Sequence, residues 1–169
     1  MIRLLVLDVD GVLTDGGLYY GPDGEQLKRF DVRDGLGIRM LMAEGVEVAI
    51  VSGRDSVALH RRAADLGIVH IAAGVADKQA AVRALQQTLA ITPDETAAMG
   101  DDLPDLSLFA AAGLRLAPAD AEPEIRAAAG FVVARAGGHG AVRDAARHIL
   151  ALNGTSAREQ DHAGRTLHG

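Results

Sequence analysis

The 169-residue chain has no cysteine, no tryptophan, only five prolines and 3% aromatic residues. Without cysteine there are no disulfides, no thiolate nucleophile and no Cys-ligated zinc, a composition compatible with a reducing compartment. So few aromatics leave no platform on which nucleic-acid bases could stack. Basic residues are also in the minority: 17 Lys and Arg face 23 Asp and Glu, for a net charge of −6. Affinity for nucleic acid depends on neutralising phosphates, so no nucleic-acid partner is expected. Long apolar runs are missing as well. None reaches the roughly 18 residues of a membrane span, and the opening run is too short for a signal sequence. The expectation is a cytoplasmic protein with no membrane partner.

What is present is material for one core. Hydrophobic residues make up 49% of the chain and charged residues 24%, as in an ordinary globular domain. The run Ile2 to Val9 is almost unbroken in branched apolar residues and reads as a strand buried on both faces. Similar runs recur at Val46–Val51, Val69–Ala72, Thr96–Met99, Leu114–Ala117 and Phe131–Ala134. Between them lie helical segments near Leu36–Ala43, Ser56–Leu66, Lys78–Ala90, Asp105–Ala111, Glu122–Ala128 and Ala141–Leu152. Gly45, Gly67, Gly113 and Gly130 each stand where a helix-ending glycine is favoured. Strict alternation with short connections predicts an α/β domain, a doubly wound Rossmann-like parallel sheet with helices on both faces.

Gly16 to Phe30 breaks the alternation and reads as a protruding β-hairpin turning at Gly21-Pro22-Asp23-Gly24. A lone hairpin is marginal in water, so it should lie against something. It carries both tyrosines, and packing within the chain and a subunit interface both remain open. Residues 1–154 read as a single domain. Residues 155–169 lose periodicity and are expected to form a flexible C-terminal tail.

Open α/β folds place their sites where strands end, and acidic residues collect there. The first strand runs into Asp8-Val9-Asp10-Gly11, and another strand into Gly100-Asp101-Asp102-Leu103-Pro104-Asp105. Either cluster alone fits a turn or a helix cap. Together, at the ends of two central strands, they would repel unless a cation lay between them, and Mg²⁺ suits such oxygen donors. The strand ending at Val51 leads into Ser52-Gly53-Arg54, a hydroxyl and a flexible glycine before a helix, a corner suited to an anion or simply a helix cap. Lys78 opens a helix, where its charge opposes the helix dipole unless an anion or carboxylate is near. This set can hold a phosphoryl group while one carboxylate attacks it, since phosphoryl transfer needs mainly positioning and charge neutralisation.

In order along the chain, Asp8-x-Asp10-Gly-Val-x-Thr14, Ser52-Gly-Arg54, Lys78 and Gly100-Asp-Asp-x-x-Asp105 resemble the four motifs of the haloacid dehalogenase superfamily. The resemblance runs from Ile2 to Leu152. It narrows to the capless 3-deoxy-D-manno-octulosonate 8-phosphate phosphatases through Phe30-Asp-Val-Arg-Asp34-Gly-Leu-Gly, Val75-Ala-Asp-Lys78 and Gly137-Gly-His-Gly-Ala-Val-Arg143. It implies Asp8 as the nucleophile that becomes aspartyl-phosphate and Asp10 as general acid, then base. It implies Mg²⁺ held by the Asp8 carboxylate, the Asp10 backbone carbonyl and Asp101, with Asp102 near it through water and Asp105 orienting its neighbours. Ser52, Lys78 and the Gly11 N–H would bind phosphoryl oxygens, with Gly53 beside them. Arg54 would reach a substrate carboxylate or, equally, form a surface ion pair.

Spacing bears on the architecture. Only 43 residues separate Asp8 from Ser52 and 25 separate Ser52 from Lys78, all used by the elements assigned above, so no cap domain is expected. An uncapped site is open. The resemblance implies a homotetramer whose adjoining chains line each site, and a Gly137–Arg143 region that helps grip an acidic sugar; a flexible turn is the simpler reading of that region. The implied reaction is Mg²⁺-dependent hydrolysis of the phosphorylated eight-carbon sugar acid in lipopolysaccharide precursor synthesis. A nine-carbon sialic-type 9-phosphate as substrate, or a non-catalytic oligomerisation domain, are the alternatives. A phosphate-receiver domain ranks lower, because its phosphoacceptor and acidic pair sit on different strands.

Overall fold

The structure, a computed structural model, describes residues 1–154 in full and assigns the last helix through Thr166. The tail expected over 155–169 lies outside the residues described in full.

Six parallel strands form the central sheet: β1 (Leu4–Leu7), β4 (Glu47–Val51), β5 (His70–Ala72), β6 (Thr96–Met99), β7 (Leu114–Ala117) and β8 (Phe131–Val132). Their spatial order is β5-β4-β1-β6-β7-β8. The chain therefore winds outward from β1 in one direction, returns, and winds outward from β6 in the other. A crevice opens at the carboxyl ends of β1 and β6, where the winding reverses. The register is regular there, with Leu7 opposite both Ile50 and Met99.

Side chains of β1 alternate between two separate apolar layers, as a strand period of two requires. Leu5 and Leu7 pack with Ile38 and Leu41 of α1 (Val32–Ala43), Leu59 of α2 (Val57–Leu66) and Ile149 of α6 (Ala141–Thr166). Leu4 and Val6 face the opposite layer, with Val82 of α3 (Lys78–Leu89), Leu108 of α4 (Leu106–Phe109) and Ile125 of α5 (Pro123–Ala128). Both faces are thus covered, as the unbroken apolar run of β1 demands.

Element boundaries differ from the sequence reading in physically informative ways. The first helix starts at Val32 rather than Leu36, because the Asp31 carboxylate caps it by accepting the Arg33 N–H. Ser56, not Ser52, caps α2, which frees the Ser52 hydroxyl from the capping role. Gly67 does end α2 in the left-handed region at φ 81°, whereas α3 ends on Ala90 at φ 52°.

The expected hairpin is present: β2 (Tyr19–Gly21) pairs antiparallel with β3 (Gly24–Leu27) as a separate two-stranded sheet. The hairpin, α1 and β4 fill the interval between Asp8 and Ser52, and α2 and β5 fill that between Ser52 and Lys78. No cap domain stands in either. Leu18, Tyr19, Tyr20 and Leu27 leave the hairpin with exposed apolar surface. No helix among the described residues is long and apolar enough to cross a membrane.

Candidate active site

At the reversal point lies an open cleft of about 340 Å³ lined by Asp8, Asp10, Ser52, Gly53, Arg54, Lys78, Asp101, Asp102 and Asp105, among others. Residues predicted from four separate stretches of sequence are therefore brought together. Each stretch follows a strand of the central sheet, after β1, β4, β5 and β6, with Lys78 at the start of α3.

Lys78 organises the floor. Its Nζ lies 2.8 Å from the Asp8 carboxylate and 2.7 Å from that of Asp105, and all three side chains are buried. Burial works against the lysine's charge, but Asp8 and Asp105 outweigh it and push its pKa up. The two carboxylates relieve the misplacement that its position at a helix N-terminus implied. Asp105 is spent on this work. One oxygen takes the Lys78 ammonium, and the other accepts the backbone N–H groups of Asp101 and, at 3.3 Å, Asp102. It holds its neighbours in place, as expected, while Asp102 caps the short 3₁₀ turn at Leu103–Asp105.

One cation for three close carboxylates leaves a surplus of negative charge. Oxygens of Asp8, Asp101 and Asp105 all lie within 4.8 Å of one another. Burial, then the Asp8, Asp105 and Asp102 charges, push Asp101 up to about 8, and burial with Asp105 pushes Asp8 up to about 6 despite Lys78. Asp101 Oδ1 is buried with no hydrogen-bond partner among the described residues. A partnerless buried oxygen beside other carboxylates is the donor set a hard divalent cation requires. Mg²⁺ therefore fits this donor set, in which Asp8 and Asp101 are the carboxylates that could hold it.

Gly11 completes this wall from the other side. It sits at φ 89°, and a Cβ there would overlap the Asp101 carboxylate. The loop carrying it is tied by Val12, Leu13 and Thr14 N–H groups to the Val9 carbonyl, and the Thr14 hydroxyl accepts from the Gly11 N–H. Gly137 and Gly138 press onto the same loop. A Cβ on Gly137 would overlap the Gly11 carbonyl, and Gly138 N–H donates to the Val12 carbonyl. The region read from sequence as a flexible turn or a sugar clasp therefore supports the Asp10 loop with its backbone. Asp34, buried in the first turn of α1, accepts the Gly140 and Arg143 N–H groups and so caps α6, joining the Phe30–Gly37 and Gly137–Arg143 motifs.

The roof was only partly legible. Lys28, just after β3, reaches down to Asp10 at 2.6 Å and also holds Glu25 at 2.9 Å. Arg54 pairs with Glu25 at 2.5 Å and lies 3.7 Å from Asp10. Within the chain, Arg54 thus adopts the ion-pair alternative. Lys28 and Glu25 were not singled out from sequence. The only local signal was a Glu and a Lys three residues apart on a strand of unknown orientation.

A model of the haloacid dehalogenase-like hydrolases matches residues 64–144. The chain is 50% identical over 122 residues to 3-deoxy-D-manno-octulosonate 8-phosphate phosphatase KdsC of Salmonella typhi, covering 72% of this chain and 65% of that relative's length. The cobalt-bound deoxy-D-mannose-octulosonate 8-phosphate phosphatase of Haemophilus influenzae superposes with a TM-score of 0.88 at 46% identity, over 90% of each chain. The Moraxella catarrhalis phosphatase, in complex with magnesium ion, phosphate ion and KDO, superposes at 0.87 with 38% identity, over 95% of this chain and 93% of its own. By these likenesses in sequence and in fold, the chain belongs to the haloacid dehalogenase-like hydrolases, on the branch that holds the 3-deoxy-D-manno-octulosonate 8-phosphate phosphatases.

Proposed function

We propose that this protein is a Mg²⁺-dependent phosphatase that hydrolyses 3-deoxy-D-manno-octulosonate 8-phosphate to the free sugar acid and phosphate. The observation that carries the reading is the Asp8–Lys78–Asp105 bridge beside the partnerless Asp101 oxygen. It supplies a nucleophile, a fixed cation for phosphoryl oxygens and donors for a metal within one cleft. The magnesium, phosphate and KDO bound by the Moraxella relative support both metal and substrate class.

Asp8 acts first. Its carboxylate oxygen forms a bond to phosphorus as the bond to the sugar oxygen breaks, and protonated Asp10 gives that oxygen its proton. Water then attacks the aspartyl-phosphate, Asp10 takes the proton from the water, and the Asp8–phosphorus bond breaks to restore the carboxylate. Lys78 holds Asp8 in line and binds phosphoryl oxygens with the Ser52 hydroxyl and with the Gly11 N–H, which exchanges its long 3.3 Å bond to the Thr14 hydroxyl for the substrate; Gly53 leaves the corner open beside them. Mg²⁺, held by the Asp8 and Asp101 carboxylates and the Asp10 backbone carbonyl, supplies positive charge that lets two anions meet. Arg54 takes the substrate carboxylate by exchanging its Glu25 partner, a geometry Arg recognises well.

The open cleft and the exposed Tyr19, Tyr20 and Leu27 support a homotetramer in which adjoining chains close each site. The cysteine-free composition suits a cytoplasmic enzyme of lipopolysaccharide precursor synthesis.

Phosphate release from the eight-carbon 8-phosphate, a sialic-type 9-phosphate and a hexose 6-phosphate, with Mg²⁺ and with chelator, tests the reading. Metal-dependent preference for the eight-carbon ester is expected. A nine-carbon preference would reassign the substrate, and no release from any ester by folded protein would leave an assembly domain.

A further inference from the structure

Lys28 is placed unlike an ordinary hairpin lysine. Exposed lysines are the rule on two-stranded ribbons, yet its side chain is only 3% exposed. Its ammonium is divided between Asp10, at 2.6 Å from Oδ1, and Glu25, at 2.9 Å. Glu25 is in turn fixed by Arg54 on the opposite rim. Asp10 itself sits on a loop without regular structure, and the contacts of its carboxylate that are described come from these two cations. The stronger tie is to Lys28. It occupies one carboxylate oxygen and leaves Oδ2 facing Arg54 across a longer 3.7 Å gap.

We infer that Lys28, anchored by Glu25, is a positioning residue that holds the Asp10 carboxylate so that Oδ2 meets the leaving oxygen. The inference rests on the proposed role of Asp10 as general acid. It gives the hairpin a part in the chemistry, because the strand that carries Glu25 also sets where the Asp10 proton is delivered. Proton transfer is sensitive to such placement, since a donor must lie within hydrogen-bond reach of the departing oxygen.

The test compares two esters whose leaving groups differ in their need for a proton. A sugar alkoxide must be protonated as it departs, whereas 4-nitrophenolate leaves without help. The ratio kcat/KM covers steps up to transfer of the phosphoryl group to Asp8, so the later water step, common to both esters, drops out. Asp10→Asn should lower kcat/KM on the sugar-acid phosphate by about 100- to 10,000-fold. Lys28→Met should lower it by about tenfold to 100-fold, the range for a misplaced catalytic group. It should leave the nitrophenyl ester nearly unchanged. Lys28→Arg should recover part of the loss, and Lys28→Met should cost nothing further in the Asp10→Asn background. Mg²⁺ affinity by calorimetry should stay at the wild-type value.

Equal losses on both esters, full additivity with Asp10→Asn, or weakened Mg²⁺ binding would each overturn the inference. If Lys28→Met does not fold, Glu25→Gln is read in the same way, with a smaller loss confined to the sugar ester. Wild-type protein that cleaves neither ester would instead remove the proposed reaction, and the role of Lys28 with it. A wild type that cleaves both esters, with Asp10→Asn impaired on neither, would remove only the role of Asp10 and the inference built on it.

Discussion

Gly11 lacks a side chain at the point where the Asp101 carboxylate fills the space a Cβ would occupy. Two motifs separated by ninety positions in sequence thus interlock by exclusion. The Asp8–Asp10 loop can lie against the Asp101 loop only if residue 11 is bare. Its φ of 89° adds a second demand, because L side chains rarely tolerate that region.

Gly11→Ala should therefore displace Asp101 or the loop, with a backbone cost of about 1–2 kcal/mol before any clash is counted. The expected outcome is a lower unfolding midpoint together with weakened Mg²⁺ binding by calorimetry. Wild-type metal affinity in this variant would mean that Asp101 is not held by this contact.

Lys78→Met leaves Asp8 and Asp105 buried with no cation between them. Removing one partner of a buried pair costs about 3–5 kcal/mol. Denaturant unfolding in chelator should show a loss of that order at pH 8 and a smaller one at pH 5, where Asp8, already pushed up to about 6 by burial, can protonate. Added Mg²⁺ should recover part of it. A variant as stable as wild type at pH 8 would show that the three-residue bridge contributes nothing to the fold.

Burial of these carboxylates, together with the same charge surplus, sets a pH dependence. Asp101 is pushed up to about 8 and Asp8 to about 6, both from an ordinary value of 3.8. Folded metal-free protein binds more protons than the unfolded chain between these values. Its stability should be fullest below about pH 4 from these groups and fall as pH rises toward 8. Asp31, held down at about 2 by hydrogen bonds from Arg33, acts in the opposite sense, losing its contribution as pH falls through that value, outside this window. Unfolding midpoints in chelator from pH 5 to 8 measure the fall, and saturating Mg²⁺ should flatten it. A metal-free midpoint that rises across this range would contradict the clustering of the three carboxylates.

Gly137→Ala tests the support beneath the Asp10 loop. A Cβ there would overlap the Gly11 carbonyl, so the loop or the turn must shift. Turnover should fall by at least about tenfold, as misplaced catalytic groups do, with a lowered melting midpoint. An unchanged rate would show that the turn supports stability alone.

How much of this was legible follows from the range of each interaction. β1 was readable because burial on both faces leaves Leu4, Leu5, Val6 and Leu7 no polar position. The strand-end acids were readable because their chemistry is local and the winding order sends them to one edge. The start of α1 was not, since Asp34 is buried for the sake of N–H groups more than a hundred residues away. Asp31 capping was masked by the mixed polarity of the first turn. The reach of Lys28 was equally hidden: alternation along a hairpin gives the spacing of its side chains, not the surface it lies on. Gly137 looked like a source of flexibility because nothing in its neighbours reveals the backbone pressed against it.

The most direct test of the central claim is to trap phosphate on the enzyme. Turnover of the eight-carbon ester with Mg²⁺ is quenched, the protein is reduced with borohydride, and the peptides are read by mass spectrometry. An acyl phosphate is reduced to the alcohol, so the account predicts homoserine at position 8 and none without substrate. Active enzyme yielding homoserine at another carboxylate such as Asp101, or at none, would contradict Asp8 as the nucleophile.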